Sequence, residues 1–96
     1  MYVVRDIFTA KPGMASKLAK LMKEVTGMQG GTHARVLTDA VSDYNTVVME
    51  MEFKSLAEIE QRMKEYMEGR PDMKQKMAGY TDLWLTGRRE VLRTVD

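Results

Sequence analysis

Thr46-Val-Val-Met-Glu-Met-Glu-Phe53 runs directly into Lys54-Ser-Leu-Ala-Glu-Ile-Glu-Gln-Arg-Met-Lys-Glu-Tyr-Met-Glu-Gly69, and the hydrophobic period changes at the junction. The first part has the two-residue period of a strand: Val47, Met49, Met51 and Phe53 go to one side, Thr46, Val48, Glu50 and Glu52 to the other. In the second part Leu56, Ile59, Met63, Tyr66 and Met67 recur at helical spacing. Ser55-Leu-Ala-Glu58 between them has the spacing of a capping box, in which the hydroxyl accepts the amide three residues on and the carboxylate reaches back. Gly69 stops the helix and Pro71 follows. A strand and a helix therefore succeed one another with almost no loop.

The same pattern lies upstream. Tyr2 to Ala10 is rich in β-branched and aromatic residues and is closed by Lys11-Pro-Gly13, so it reads as a strand. Pro12 suits a first helical position, and Met14, Leu18, Leu21, Met22 and Val25 form one apolar stripe that Gly27 ends. Gly30-Gly31 leads into a second strand, about Thr32 to Val41, and Ser42-Asp-Tyr-Asn45 supplies a turn into the Thr46 strand. If Asp43-Tyr44 is the turn, Arg35 faces Glu52 and Leu37 faces Glu50. Downstream, Arg70 to Ala78 adds a short helical turn, and Gly79 opens a final strand from Tyr80 to about Arg93.

The order is β-α-β-β-α-β over residues 1–96, read as one domain of the α+β class. Right-handed crossovers place both helices on one face of a four-stranded antiparallel sheet of order 4-1-3-2, the ferredoxin-like arrangement. The opposite face is left uncovered. On it alternation collects Val3, Arg5, Ile7, His33, Arg35, Leu37, Asp39, Val41, Thr46, Val48, Glu50 and Glu52. Val3, Ile7, Leu37, Val41 and Val48 form an apolar patch there, which predicts a homodimer through this face.

Composition narrows the function classes. Lys plus Arg 15 against Asp plus Glu 14 gives a net charge of +1, too little to draw in nucleic acid or an anionic membrane. No run approaches the ~20 apolar residues of a membrane span, and the charged start of the chain does not read as a signal peptide. The absence of cysteine removes disulfides and thiolate chemistry and fits a cytoplasmic location. A single His and no helical His/carboxylate motif leave no expected metal site, and no nucleotide-binding unit is present for a flavin or nicotinamide, so no cofactor is expected. Gly30-Gly31 precedes a strand rather than a helix and is no phosphate loop.

Three segments carry a resemblance: Val4-Arg-Asp-Ile-Phe-Thr-Ala-Lys-Pro-Gly13, Val36-Leu-Thr-Asp-Ala-Val-Ser-Asp-Tyr-Asn-Thr-Val-Val-Met-Glu-Met-Glu-Phe53 and Gly79-Tyr-Thr-Asp-Leu-Trp-Leu-Thr-Gly-Arg-Arg-Glu90. The chain is similar to small proteins of the dimeric α+β barrel superfamily, nearest its NIPSNAP-like members, which also includes antibiotic-biosynthesis-type monooxygenases that work without cofactor. The resemblance implies a homodimer whose two sheets form a barrel, with a ligand pocket between each sheet and its helices. The heme-degrading branch of the superfamily uses an Asn on the first strand, a Trp on the third and a His on the second helix. Here Asn45 begins the third strand, Trp84 sits in the fourth and His33 opens the second, so that chemistry does not transfer.

Within this frame Trp84, Tyr80 and Tyr66 are the candidate pocket residues, with Trp84, Tyr80 and Asp82 expected on one face of the last strand. An aromatic wall with a carboxylate suits a planar substrate, although core packing explains the same residues. His33 and Asp82 are the weak candidates for proton transfer, and for His33 a partly exposed strand residue is the plainer reading. Arg5, Arg35, Glu50 and Glu52 form either an interface ion-pair network or an anion site. The ten Met residues fall mainly on helix stripes and in the third strand, as core fillers. Two functions follow: a cofactor-independent monooxygenase or isomerase acting on a small aromatic or polyketide-like compound, or a non-catalytic dimeric binding or interaction module.

Overall fold

The computed structural model of the protein describes residues 1–29, 33–42, 44–69 and 71–95. Gly30, Gly31, Thr32, Asp43 and Arg70 and the side chain of Met67, which enter the sequence reading above, lie outside the described residues. The elements are β1 (Tyr2–Ala10), α1 (Ala15–Gln29), β2 (Arg35–Thr38), β3 (Thr46–Phe53), α2 (Leu56–Gly69), α3 (Pro71–Lys76), a 3-10 turn (Tyr80–Leu83) and β4 (Trp84–Arg93). The sheet is antiparallel with order β2-β3-β1-β4, which is 4-1-3-2 read from its other edge.

β3 behaves as its alternation requires. Val47, Met49, Met51 and Phe53 are buried beneath the helices with Val4 and Ala10 of β1, Leu18 and Met22 of α1 and Ile59 of α2. Ser55 caps α2, its Oγ accepting the Glu58 amide at 3.1 Å, and the Glu58 carboxylate reaches back one residue beyond the cap to accept the Lys54 amide at 3.0 Å. Leu56, the first residue of the expected stripe, stays exposed.

Five local expectations are corrected. Pro12 does not begin α1. It occupies, with Gly13 at φ 81°, the two central positions of a turn closed by the Met14 amide donating to the Lys11 carbonyl at 2.9 Å, the geometry that favours Pro then Gly. Gly27 does not end α1, which continues to Gln29; Val25 and Thr26 just before it are buried, so packing holds the helix through a poor helix former. The second strand is much shorter than expected, because His33 takes a left-handed φ of 54° before it and Asp39 leaves the ladder after it. The Asp39 carboxylate accepts the Thr46 amide at 3.2 Å, while Tyr44 and Asn45 adopt left-handed φ values of 51° and 59°.

That wider loop moves the hairpin register by two places: Arg35 opposes Glu50 and Leu37 opposes Val48, not Glu52 and Glu50. Because the slip is even, no side chain changes face. Val3, Ile7, Leu37 and Val48 therefore share the uncovered side, joined by Leu92 opposite Val3, whereas Val41 stands in the loop, 97% exposed, and leaves the patch.

The fifth correction positions the site. Gly79 at φ 79° opens a 3-10 turn instead of a strand, so Tyr80 and Asp82 precede β4. β4 then starts at Trp84, opposite Ala10, with a register shift that leaves Leu85 unpaired before Thr86 meets Thr9. The bulge reverses the alternation, so Gly87 and Arg89 join Trp84 on the helix side, opposite Phe8 and Asp6.

Candidate functional site: a helix-to-sheet cavity

α1 packs over β2 and β3, α2 lies over β3, and neither helix lies closely along β4. The uncovered inner strip of β1 and β4 becomes one wall of a cavity of about 510 Å³, with α2 opposite. Trp84, Tyr80 and Tyr66 all line it, so the structure brings the three expected pocket residues together. The volume lies in the range of small-molecule sites.

The aromatic wall has a structural cause. The Phe8 and Trp84 rings approach to 5.4 Å between centroids at 53°, and Tyr80 and Trp84 to 6.1 Å at 42°, both tilted arrangements that suit ring quadrupoles. Gly87 permits the Phe8 placement: a Cβ there would lie 3.0 and 3.1 Å from two Phe8 ring carbons. The Trp84 indole nitrogen is buried and has no hydrogen-bond partner. Met22, Met49, Met51, Met63 and Met77 complete much of the apolar lining.

One ionic group crosses this apolar space. Asp6 is only 5% exposed, and Arg89 meets it in a two-point pair, Nε to Oδ1 at 2.6 Å and Nη2 to Oδ2 at 3.2 Å. The remaining Arg89 nitrogen, Nη1, donates to the Met63 Sδ on α2 at 3.2 Å, a weak acceptor. The hydrogen bond to Asp6 raises the Arg89 pKa above its ordinary value against an opposing effect of burial, so the guanidinium stays charged. Burial, with a smaller contribution from Tyr80, raises the Tyr66 phenol above its usual value, so it stays neutral to higher pH.

The other expected residues lie elsewhere. His33 is exposed in the turn before β2, and Asp82 is exposed in the 3-10 turn outside the lining of this cavity; neither shares a strand face with Trp84. Arg5, Arg35 and Glu50 do meet on the uncovered sheet face. Arg35 donates to Glu50 at 2.7 and 2.9 Å, and Arg5 Nε lies 3.2 Å from the same carboxylate, an ion pair without hydrogen-bond alignment. Glu90 of β4 joins at 3.8 Å from Arg5, while Glu52, opposite Val3, stays out of the network. Among the described residues no three His, Cys, Asp or Glu side chains converge as a metal site, and no helix is long and apolar enough to cross a membrane.

Asp6, Phe8, Met63, Gly87 and Arg89 are the site residues that sequence reasoning missed. Asp6 carried a signal, since a carboxylate between Val4 and Phe8 on the inward register of an apolar strand demands a partner. Arg89 carried none, because its inward direction depends on the bulge at Leu85.

No protein-family model matches the sequence, and no curated protein matches it. Solved structures do match in fold. A NIPSNAP family protein from Agrobacterium tumefaciens superposes with a TM-score of 0.83 at 15% identity, covering 99% of this chain and 93% of that one. An uncharacterised NIPSNAP domain protein from Burkholderia xenovorans gives 0.79 at 14% identity, covering 99% and 95%. A proposed antibiotic biosynthesis monooxygenase from Chloroflexus aurantiacus gives 0.74 at 15% identity, covering 99% and 93%. At these identities the likeness is one of fold, the same ferredoxin-like fold that the element order implies.

Proposed function

We propose that the chain binds a small aromatic or polyketide-like compound in the helix-to-sheet cavity and acts on it by cofactor-independent oxygenation or isomerisation. The observation that carries this reading is the cavity itself: about 510 Å³ of open space, walled by Phe8, Trp84 and Tyr80, in a place where core side chains would otherwise meet. A flat ring system fits between the aromatic wall and the methionines. The protein's part in the chemistry is orientation and proton movement, with the neutral Tyr66 phenol as a hydrogen-bond donor to the substrate. The fold shared with a proposed monooxygenase supports the reaction class without deciding it.

A homodimer through the uncovered sheet face belongs to the same reading, supported by Val3, Ile7, Leu37 and Leu92 around the Arg5, Arg35, Glu50 and Glu90 network. A cytoplasmic location is supported by the lack of cysteine. Aerobic incubation with a set of polycyclic quinols and phenols, followed by mass spectrometry, tests the catalytic part. A product heavier by oxygen, or an isomer of unchanged mass, is expected. Binding without any product from the whole set would leave a non-catalytic binding module.

A further inference from the structure

We infer that the ligand of this cavity is an amphipathic aromatic anion, with its ring system against Phe8, Trp84 and Tyr80 and its negatively charged oxygen on Arg89. The inference rests on the reading of the cavity as a ligand site and adds the charge and orientation of the ligand. Three observations carry it.

First, the wall presents a cationic donor. On the β1–β4 wall the inward-facing cation is Arg89, since Arg88 opposes Ile7 and points to the other sheet face, and the inward-facing carboxylate is Asp6. Asp6 is already committed to Arg89 through both of its oxygens. The guanidinium, not the carboxylate, is then the group left to meet a ligand, and a charged donor in a mostly apolar space prefers an anionic oxygen to a neutral one.

Second, Arg89 has one donor held in reserve. Nε and Nη2 are fixed on Asp6, which sets the plane of the guanidinium, whereas Nη1 points to a thioether on the opposite wall. An anionic oxygen is a far better acceptor than Met63 Sδ, so a ligand head group displaces that contact at little cost. The flexible Met side chain can withdraw.

Third, the placement is amphipathic. The Arg89 side chain is 48% exposed while Asp6 is buried, so the guanidinium stands where the cavity meets solvent. The aromatic wall lies further along the same strands, at Phe8, Gly87 and Trp84. A ligand that sits on both keeps its charge partly hydrated and buries its rings. Asp6 is then a positioning residue: it touches Arg89, not the ligand.

Calorimetric titration with naphthoate and with naphthalenemethanol, which share a ring system and differ in charge, tests the inference at neutral pH. It is run on the intact protein and on the Asp6→Asn/Arg89→Gln double variant, which leaves no orphaned buried charge. The expected result is roughly tenfold or greater preference for naphthoate in the parent, lost in the double variant, where naphthoate affinity falls by much more than naphthalenemethanol affinity. Equal binding of the two probes by the parent would overturn the inference and leave the ligand site standing. Binding of neither would overturn the ligand site and the inference together. If the double variant does not fold, Met63→Leu decides: it leaves the Asp6 pair intact and frees Nη1, so naphthoate should bind as well or better, and a loss of the preference for the anion would count against Arg89 as its partner.

Discussion

Arg89→Gln should destabilise the protein by about 2 kcal/mol, and the structure fixes where that figure falls. Exposed ion pairs contribute ~1 kcal/mol or less, whereas breaking a buried pair costs ~3–5 kcal/mol because a charge is left without a partner. Asp6 is 5% exposed and stays buried in the variant, which pulls the cost upward; Arg89 is half exposed, which lets water reach part of the gap and pulls it down. Urea unfolding measures it. With a slope of roughly 1 kcal/mol per molar for a chain this short, the midpoint should fall by about 2 M, with protein concentration held constant in case of association. Asp6→Asn should cost less, since the half-exposed Arg89 can hydrate, and the double variant should recover more than half of the loss. The cycle then gives a coupling of ~1 kcal/mol or more. A single-variant cost below about 0.5 kcal/mol, or a double variant no better than Arg89→Gln, would refute the assignment of Asp6 as a buried carboxylate that depends on Arg89.

Three further outcomes follow from other parts of the molecule. Gly87→Ala should cost about 1–2 kcal/mol by overpacking, because its Cβ meets the Phe8 ring at 3.0 Å, and should weaken ligand binding as the ring moves into the cavity; thermal unfolding and titration check both effects. Arg35→Ala should change protomer stability by less than ~1 kcal/mol, since its side chain is mostly exposed, yet weaken a homodimer by roughly tenfold or more in sedimentation equilibrium. Tyr66 keeps its proton to higher pH in the folded state than in the unfolded one, so its contribution is full below about pH 10 and falls as pH rises beyond it. Tyr66→Phe should therefore flatten the decline in stability above that pH, and parallel slopes for parent and variant would argue against the burial of the phenol.

Much of this architecture was legible in the residues, and the limits have specific causes. β3 and α2 could be read to the residue because period and cap agree: the two-residue alternation ends at Phe53, and Ser55 with Glu58 starts the helix. The sheet order followed from the element order. The β2–β3 loop could not be read, because its length depends on the Asp39 carboxylate holding the Thr46 amide, a contact between residues that no local pattern links. The face assignment survived only because the slip was even. At the candidate site, Trp84, Tyr80 and Tyr66 line one cavity, and Tyr80 arrives from a 3-10 turn opened by Gly79 rather than from the strand. The bulge at Leu85 hid Arg89 altogether, since simple alternation from Trp84 would send an odd-numbered residue outward.

The measurement that tests the central claim most directly uses Trp84, the only tryptophan, which stands in the cavity wall. Its emission is followed while the protein is titrated with flat phenols and aromatic carboxylates. A saturable change in intensity or wavelength at one ligand per chain, diminished in Gly87→Ala, is the predicted result. Emission that stays unchanged across the whole ligand set would contradict the account, because no ring could then occupy the space between Trp84 and α2.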